Sequence, residues 1–164
     1  MSQSESFLSA SSVLQKVRQD ATEAQRGLDQ LLTASIGRYN SEDTSLVVFG
    51  SLARGEWTSG SDLDWTYLVD GQANSDHLRI AQRVGAVLKE HKDRFRPPGQ
   101  TGTFGNLAFS HELVHQIGGQ FDSNKNTTQR VLLLLESAVI GSSTQAYDRV
   151  LKAVIRKKSG LNFL

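Results

Sequence analysis

The chain has no cysteine, only two prolines, almost no net charge and no long apolar run. Without cysteine it can form no disulfide, no thiolate metal site and no thiol nucleophile, and this composition fits a reducing, cytoplasmic compartment. A net charge of +1 favours neither a nucleic-acid binder nor an acidic scaffold. The longest aliphatic run, Val131–Leu135, is far too short to span a bilayer, and the polar segment Met1–Ser12 lacks the pattern of a signal peptide. We therefore expect no membrane segment.

The length and composition of the chain predict one globular domain. Hydrophobic residues make up 38% and charged residues 21% of the 164 residues, which is an ordinary globular balance. We expect the domain to span residues 1–164, with residues 1–10 as a flexible leader. An apolar stripe from Leu14 to Ile36 recurs at three- and four-residue steps, which predicts a first helix.

The remaining pattern predicts a small sheet packed by helices. Ser45–Phe49 is a short apolar run that indicates a buried strand, and Asp62–Val69 indicates a second strand closed by a turn signal. Further along, the pattern predicts a helix capped by Ser75 and running to about His91, and then an irregular strand over Thr101–Phe109. A short helix is predicted over His111–Ile117. Two longer helices follow, one from Thr127 or Thr128 through Ile140 and a last one that begins at Ser142–Ser143. The expected fold class is α/β (α+β): a small mixed sheet packed by helices, with an N-terminal helix and C-terminal helices.

The chemistry is expected where the first predicted strand ends. Gly50 follows the strand, and the absence of a Cβ there would let the backbone approach a ligand closely. A short helix over Leu52–Gly55 would expose unpaired N–H groups, which suit phosphate oxygens. The hydroxyl of Ser51 would add one more donor.

Asp62 and Asp64 are the candidate metal ligands. Two positions apart on a strand, they would point to one face while Leu63 and Trp65 point into the core. Two convergent carboxylates and the oxygens of a triphosphate form a hard-oxygen site, which selects Mg²⁺ or Mn²⁺. The alternative is a plain turn followed by two solvent-facing aspartates. Because aspartate is depleted in strands, the combination with Gly50 and Ser51 favours the functional interpretation.

This arrangement resembles the nucleotidyltransferase superfamily with the DNA polymerase β-like fold, and in particular its stand-alone bacterial members. The family pattern is an apolar strand, Gly-Ser, about ten residues, and Asp-x-Asp; here these are Gly50, Ser51, the spacer Leu52–Ser61, Asp62 and Asp64. Further residues look like the bacterial Gly-Ser-x-Ala-Arg-Gly and Ser-Asp signatures, namely Ala53, Arg54, Gly55, Ser59 and Ser61.

The resemblance implies Mg²⁺-dependent transfer of a nucleoside monophosphate from a nucleoside triphosphate to an acceptor hydroxyl. Asp62 and Asp64 would be the catalytic and metal-binding residues, and Gly50, Ser51, Arg54 and Ser61 would contact the nucleotide. For Arg54 a surface salt bridge is the alternative. The acceptor can be protein, RNA or a small molecule, and neither the base of the triphosphate nor the oligomeric state follows from the sequence.

A polar loop before the predicted helix at Thr127 offers a second wall for the nucleotide. Lys125 and Arg130 lie beside the start of that helix and could contact phosphate or ribose. The alternative is a capped loop in which Asp122, Asn126 and Thr127 satisfy backbone N–H groups. The sequence leaves both alternatives open.

One part of the family pattern is missing. Catalytic members normally supply a third carboxylate from a later strand, and Thr101–Phe109 contains neither aspartate nor glutamate. Glu112 and Asp122 are the nearby candidates. If neither reaches the site, a nucleotide-binding or regulatory module with weak or no activity becomes the alternative to an enzyme.

A competing motif, His-Glu-Leu-Val-His, begins at His111 and ends at His115. It satisfies the zinc-protease pattern, in which two histidines on one helix face bind zinc beside a glutamate base. The predicted helix is short, however, and Phe121 stands where the extended motif has its third histidine. We therefore favour an amphipathic turn, with zinc hydrolysis as the remote alternative.

Overall fold

The computed structural model describes residues 3–99 and 102–159, with side chains described over residues 12–99 and 102–157. Within this part of the chain the elements are α1 (Gln3–Ile36), β1 (Thr44–Phe49), β2 (Trp65–Val69), α2 (Ser75–Glu90), β3 (Asn106–Phe109), α3 (Ser110–His115), α4 (Asn124–Leu135), β4 (Ser137–Ile140) and α5 (Gln145–Ser159). Side chains in the expected leader, residues 1–10, lie outside the described ones. No described helix is long and apolar enough to cross a membrane.

The four strands form one mixed sheet in the order β3-β2-β1-β4. β1 runs antiparallel to both of its neighbours, β2 and β4, whereas β2 and β3 run parallel. All six residues of β1 are buried because helices cover both faces of the sheet. The predicted α/β class, with a small mixed sheet packed by helices, is confirmed.

Alternating side chains divide the core into two layers. On one face Trp65 and Tyr67 of β2 pack in a cluster that contains Leu28 of α1 and Val84 of α2. On the other face Phe49 belongs to a second cluster, which includes Leu113 of α3, Leu133 of α4, and Val150 and Val154 of α5. The sheet therefore separates the first two helices from the last three.

The second strand is shorter than predicted. It begins at Trp65 rather than at Asp62, because the preceding residues pair elsewhere: the N–H of Leu63 donates to the carbonyl oxygen of Arg96 at 2.8 Å. Asp62 forms an isolated bridge with Arg96. The pairing with β1 nevertheless extends one step back, since the N–H of Phe49 donates to the carbonyl of Asp64 at 2.9 Å.

The helix boundaries also differ from the prediction. α2 is capped by Asn74, whose side chain accepts hydrogen bonds from the N–H groups of Asp76 and His77, so Ser75 is its first residue and not its cap. The third strand occupies only Asn106–Phe109 of the expected range, and Thr101 lies outside the described residues. The short helix predicted over His111–Ile117 is α3.

The predicted helix through Ile140 is wrong in its second half. α4 begins after the cap residue Ser123 and ends at Leu135, and Ser137–Ile140 form β4 instead. The open edge of β1 decides this, because four residues of β4 pair with it, among them Val139 with Val47. The last helix begins at Gln145 rather than at Ser142–Ser143.

Candidate nucleotide site

A hydrogen-bonded turn follows β1. Gly50 has φ +67°, a left-handed conformation that glycine adopts without steric cost. The N–H of Arg54 donates to the carbonyl of Gly50 at 3.0 Å, and that of Glu56 donates to Ser51 at 2.8 Å. Leu52 is fully buried and anchors the turn to the core. The short helix expected over Leu52–Gly55 is thus a turn, although it starts with a helix-like bond across four residues.

Asp62 and Asp64 flank a buried leucine. Leu63 is 1% exposed and belongs to the core, as does Trp65, so the two carboxylates alternate with core residues. Asp62 is exposed and lies 3.5 Å from Nε of Arg96, whereas Asp64 is partly buried. Burial raises the pKa of Asp64 above its ordinary value, and the negative charge of Asp62 raises it further. The two carboxylates therefore repel each other in a partly desolvated place.

Asp64 also faces the turn after β1. Its Oδ2 lies 3.9 Å from the position that a Cβ on Gly50 would take. The backbone bond from Phe49 to Asp64 fixes the two segments side by side. The two halves of the sequence motif, the glycine turn and the aspartate pair, thus meet at the same end of β1 and β2.

A comparison with protein families agrees with this geometry. Residues 30–99 match the family model of the nucleotidyltransferase domain. The matched segment is less than half of the 164-residue chain. The resemblance to this superfamily is confirmed, and with it the general kind of chemistry, nucleotidyl transfer. Comparisons with curated proteins and with solved structures find no significant match.

The family match ends before Glu136, which contacts the turn of the candidate site. Glu136, which precedes β4, was missed by the sequence analysis. Its carboxylate forms an ion pair with Arg54, and its carbonyl oxygen accepts the N–H of Gly50 at 3.2 Å. Glu56 binds the same guanidinium at 2.9 Å. Arg54 is therefore held by two carboxylates, and sequence could have revealed Glu136 only if β4 had been recognised.

Ser61 directly precedes the two aspartates of the candidate site and bonds to Thr58. Its hydroxyl accepts the N–H of Thr58 at 3.1 Å, and its own N–H donates to the carbonyl of Thr58 at 3.0 Å. The structure thus places Ser61 in a closed turn directly before Asp62. Its hydroxyl has a structural partner, and the predicted contact with nucleotide stays a prediction.

The predicted second wall is organised by an ion pair. Arg130 donates to both carboxylate oxygens of Asp122 at 2.6 Å and to the hydroxyl of Thr127 at 3.0 Å. The hydrogen bond from Arg130 holds the pKa of Asp122 below its ordinary value, and one from the N–H of Gly118 lowers it further. Arg130 is 7% exposed. Of the residues in the capped-loop alternative, Asp122 accepts a backbone N–H, that of Gly118 at 2.8 Å, whereas Ser123 caps α4. Half-buried Lys125 lies in the first turn of α4, and its contact with nucleotide stays a prediction.

Among the described residues, no third carboxylate joins Asp62 and Asp64 in a group that could hold a metal ion. Across residues 12–99 and 102–157, no three histidine or acidic side chains come together closely enough to hold a metal ion. Neither Glu112 on α3 nor Asp122 therefore completes a cluster with Asp62 and Asp64. On β3, the partner of Thr66 is Asn106, which carries an amide.

The histidine motif lies on a helix of six residues. The rings of His111 and His115 are both exposed, and their centroids lie 5.3 Å apart. Leu113 and Val114 are buried, as expected for an amphipathic turn, and Ile117 is half-buried. Within the described part of the chain no third ligand joins the two histidines.

Proposed function

We propose that the protein transfers a nucleoside monophosphate from a nucleoside triphosphate to an acceptor hydroxyl, with Mg²⁺ or Mn²⁺ held by Asp62 and Asp64. The observation that carries the proposal is the approach of the Asp64 carboxylate to the turn at Gly50, beside a second carboxylate. This arrangement would put a metal ion held by the two carboxylates next to phosphate groups held by the turn at Gly50. The compartment we propose is the cytoplasm.

The two carboxylates fit a hard divalent cation. Aspartate oxygens are the ligands that Mg²⁺ and Mn²⁺ prefer, and the raised pKa of Asp64 reflects burial and repulsion that a cation between the two groups would relieve. When bound, the metal neutralises phosphate charge and activates the transferred group. Asp62 is exposed enough to meet a metal that arrives with its triphosphate.

The turn after β1 supplies the phosphate contacts. Among the described hydrogen bonds, none uses the backbone N–H groups of Ser51, Leu52 or Ala53. Three successive free N–H groups at the start of a helix-like turn, with the hydroxyl of Ser51, form a cradle for phosphate oxygens. Arg54 would support this turn through Glu136, and Ser61 and Lys125 are proposed as more distant contacts with the nucleotide.

The transfer itself needs one bond to form and one to break. The acceptor oxygen attacks the α-phosphorus, the bond from that phosphorus to the bridging oxygen breaks, and pyrophosphate leaves. The hydroxyl proton passes to a phosphate oxygen of the substrate, since among the described residues no third acidic side chain joins the group of Asp62 and Asp64. This route predicts a slow enzyme.

The second candidate is a nucleotide-binding module that regulates a partner. The same missing carboxylate favours it, since binding needs only the cradle and the metal ligands. The two candidates differ in whether the nucleoside monophosphate is transferred from the triphosphate to an acceptor.

The test is incubation of the protein with each α-labelled triphosphate, Mg²⁺ and a cell extract. Asp62→Asn together with Asp64→Asn is the control. Label on protein, RNA or a small molecule that depends on both aspartates supports the enzyme. Tight binding of triphosphate without transfer supports the module, and the absence of both overturns the proposed site.

A further inference from the structure

A groove outside the candidate nucleotide site carries a concentrated positive charge. It lies between α1 and the segment that follows α2, and it encloses about 710 Å³. Three arginines line it: Arg18 and Arg26 from α1, and Arg94 from the opposite wall. No lining residue belongs to the motif from Gly50 to Asp64.

The arginines of this groove outnumber the acidic residues that line it. One acidic residue, Glu23, shares the lining, and Asp20 and Asp93 line an adjoining cavity with Arg94. Within the described residues none of the three guanidinium groups lies within 4.0 Å of a carboxylate oxygen, whereas five other arginines do form ion pairs. A bound anion could therefore pair with guanidinium groups that no described carboxylate occupies.

The position of Arg94 depends on a glycine in α1. A Cβ at Gly27 would collide with Nη2 of Arg94 and would lie 2.9 Å from its Cζ. The same Cζ lies 5.1 Å from the ring centroid of the fully buried Phe95. Glycine is unfavourable inside a helix relative to alanine, and at position 27 the missing Cβ leaves room for the guanidinium of Arg94.

The spacing of the arginines indicates a ligand with more than one anionic group. Arg18 and Arg26 are eight residues apart, which is about 12 Å along a helix axis. A guanidinium binds phosphate through two parallel N–H donors. The neutral residues in the lining are polar, and no aromatic side chain offers a surface for stacking a base. The geometry favours contacts with phosphate groups rather than with bases.

We propose that this groove binds a ligand that carries at least two phosphate groups, through Arg18, Arg26 and Arg94. A free polyphosphate and the backbone of a single-stranded RNA share this chemistry. The groove is joined to the candidate nucleotide site by α1, since Nε2 of Gln25 donates to the carbonyl of Leu52 at 2.9 Å.

Binding to the full chain is measured in EDTA, so that a metal-dependent site contributes nothing. The probes are inorganic tripolyphosphate by calorimetry, and a fluorescent single-stranded RNA and a polyglutamate peptide of equal length by anisotropy. Replacing Arg18, Arg26 and Arg94 together by Gln should weaken binding of at least one phosphate probe by more than tenfold. For RNA, the loss of three phosphate contacts should reduce the salt slope by about two.

Two single variants separate a shaped groove from general charge. Gly27→Ala keeps every charge and displaces Arg94, and we expect it to weaken phosphate binding several-fold while circular dichroism shows an intact fold. Arg156 is an exposed residue of α5, on the other side of the sheet. Arg156→Gln removes one positive charge there and should leave phosphate binding unchanged.

The results assign the source of the phosphate or overturn the proposal. Binding of tripolyphosphate alone indicates a free polyphosphate, and stronger binding of RNA indicates a strand. The proposal is overturned if neither probe binds at millimolar concentration, if polyglutamate binds equally well, or if Arg156→Gln weakens binding as much as the triple variant does.

Discussion

Arg54 and Glu136 form an ion pair although they are 82 positions apart in the chain. Glu136 also accepts the N–H of Gly50 through its backbone. The turn that carries the candidate phosphate cradle is therefore fastened to the strand at the edge of the sheet by a side chain and by the main chain. Arg54 supports the turn as well as being a candidate for contact with nucleotide.

We expect Arg54→Gln and Glu136→Gln to be coupled in stability. Arg54 is 41% exposed and Glu136 22%, so solvent screens the pair and the coupling free energy should be at most about 1 kcal/mol. Urea denaturation of both single variants and the double variant measures it. Strictly additive effects would show that the pair does not hold the turn.

Metal-dependent binding of nucleotide should require both aspartates. Asp62→Asn or Asp64→Asn should weaken Mg²⁺-dependent binding of triphosphate by more than tenfold, about 1.4 kcal/mol, because one carboxylate alone balances the cation and the phosphates poorly. Calorimetric titration with ATP and with UTP, with and without Mg²⁺, measures this. Equal affinities in all these conditions would show that the pair is not a metal–nucleotide site.

Asp64→Asn should raise the free energy of unfolding at neutral pH. The pKa of Asp64 is higher in the folded protein than in the unfolded chain, so its charged form destabilises the fold above the folded pKa. That penalty disappears as pH falls through the raised pKa, and the advantage of the variant should vanish below pH about 4. Urea denaturation across this range tests it, with Asp93→Asn at an exposed site as the control.

Gly50→Ala should cost more than Gly60→Ala. Gly50 has φ +67°, where an L side chain costs about 1–2 kcal/mol. Gly60 has open space around a Cβ and no positive φ, so its substitution should stay within about 0.5 kcal/mol. Thermal denaturation compares the stabilities and ATP titration the affinities. If both variants lose the same affinity for ATP, the turn at Gly50 has no specific role in nucleotide binding.

Asp122→Asn should destabilise the fold by about 3 kcal/mol at neutral pH, because it leaves the buried Arg130 guanidinium without its counter-charge. The exposed pair of Asp76 and Arg79 is the matched control, and Asp76→Asn should cost at most about 1 kcal/mol. Since folding lowers the pKa of Asp122, its contribution is complete above the ordinary carboxylate pKa and is lost as pH falls through the lowered one. Denaturation at neutral and acid pH tests both statements.

Local spacing was enough to predict the centre of the fold and the candidate site. The apolar run before Gly50 and the alternation around Leu63 are properties of neighbouring residues, and the structure places these segments together. β4 could not be predicted this way, because its residues continue an apolar helical pattern and become a strand only by pairing with β1. Glu136 was missed for the same reason.

Side-chain partners were harder to predict than backbone elements. The sequence of the loop before α4 allows two interpretations. In the structure Arg130 lies 2.6 Å from Asp122, so the charge of Arg130 is paired with that carboxylate. Likewise, Asn74 rather than Ser75 caps α2, although both residue types favour that position. Sequence offers several candidates for such bonds, and three-dimensional packing selects among them.

The two-layer core bears on how the protein could be shortened. The family match, residues 30–99, includes β1, β2 and α2, but the cluster around Phe49 and Leu68 is completed by residues from 113 to 154. A fragment limited to the match would leave one side of its sheet bare to water and prone to self-association. The shortest fragment that folds must therefore include α5. A truncated protein that is used to test nucleotidyl transfer has to keep that helix.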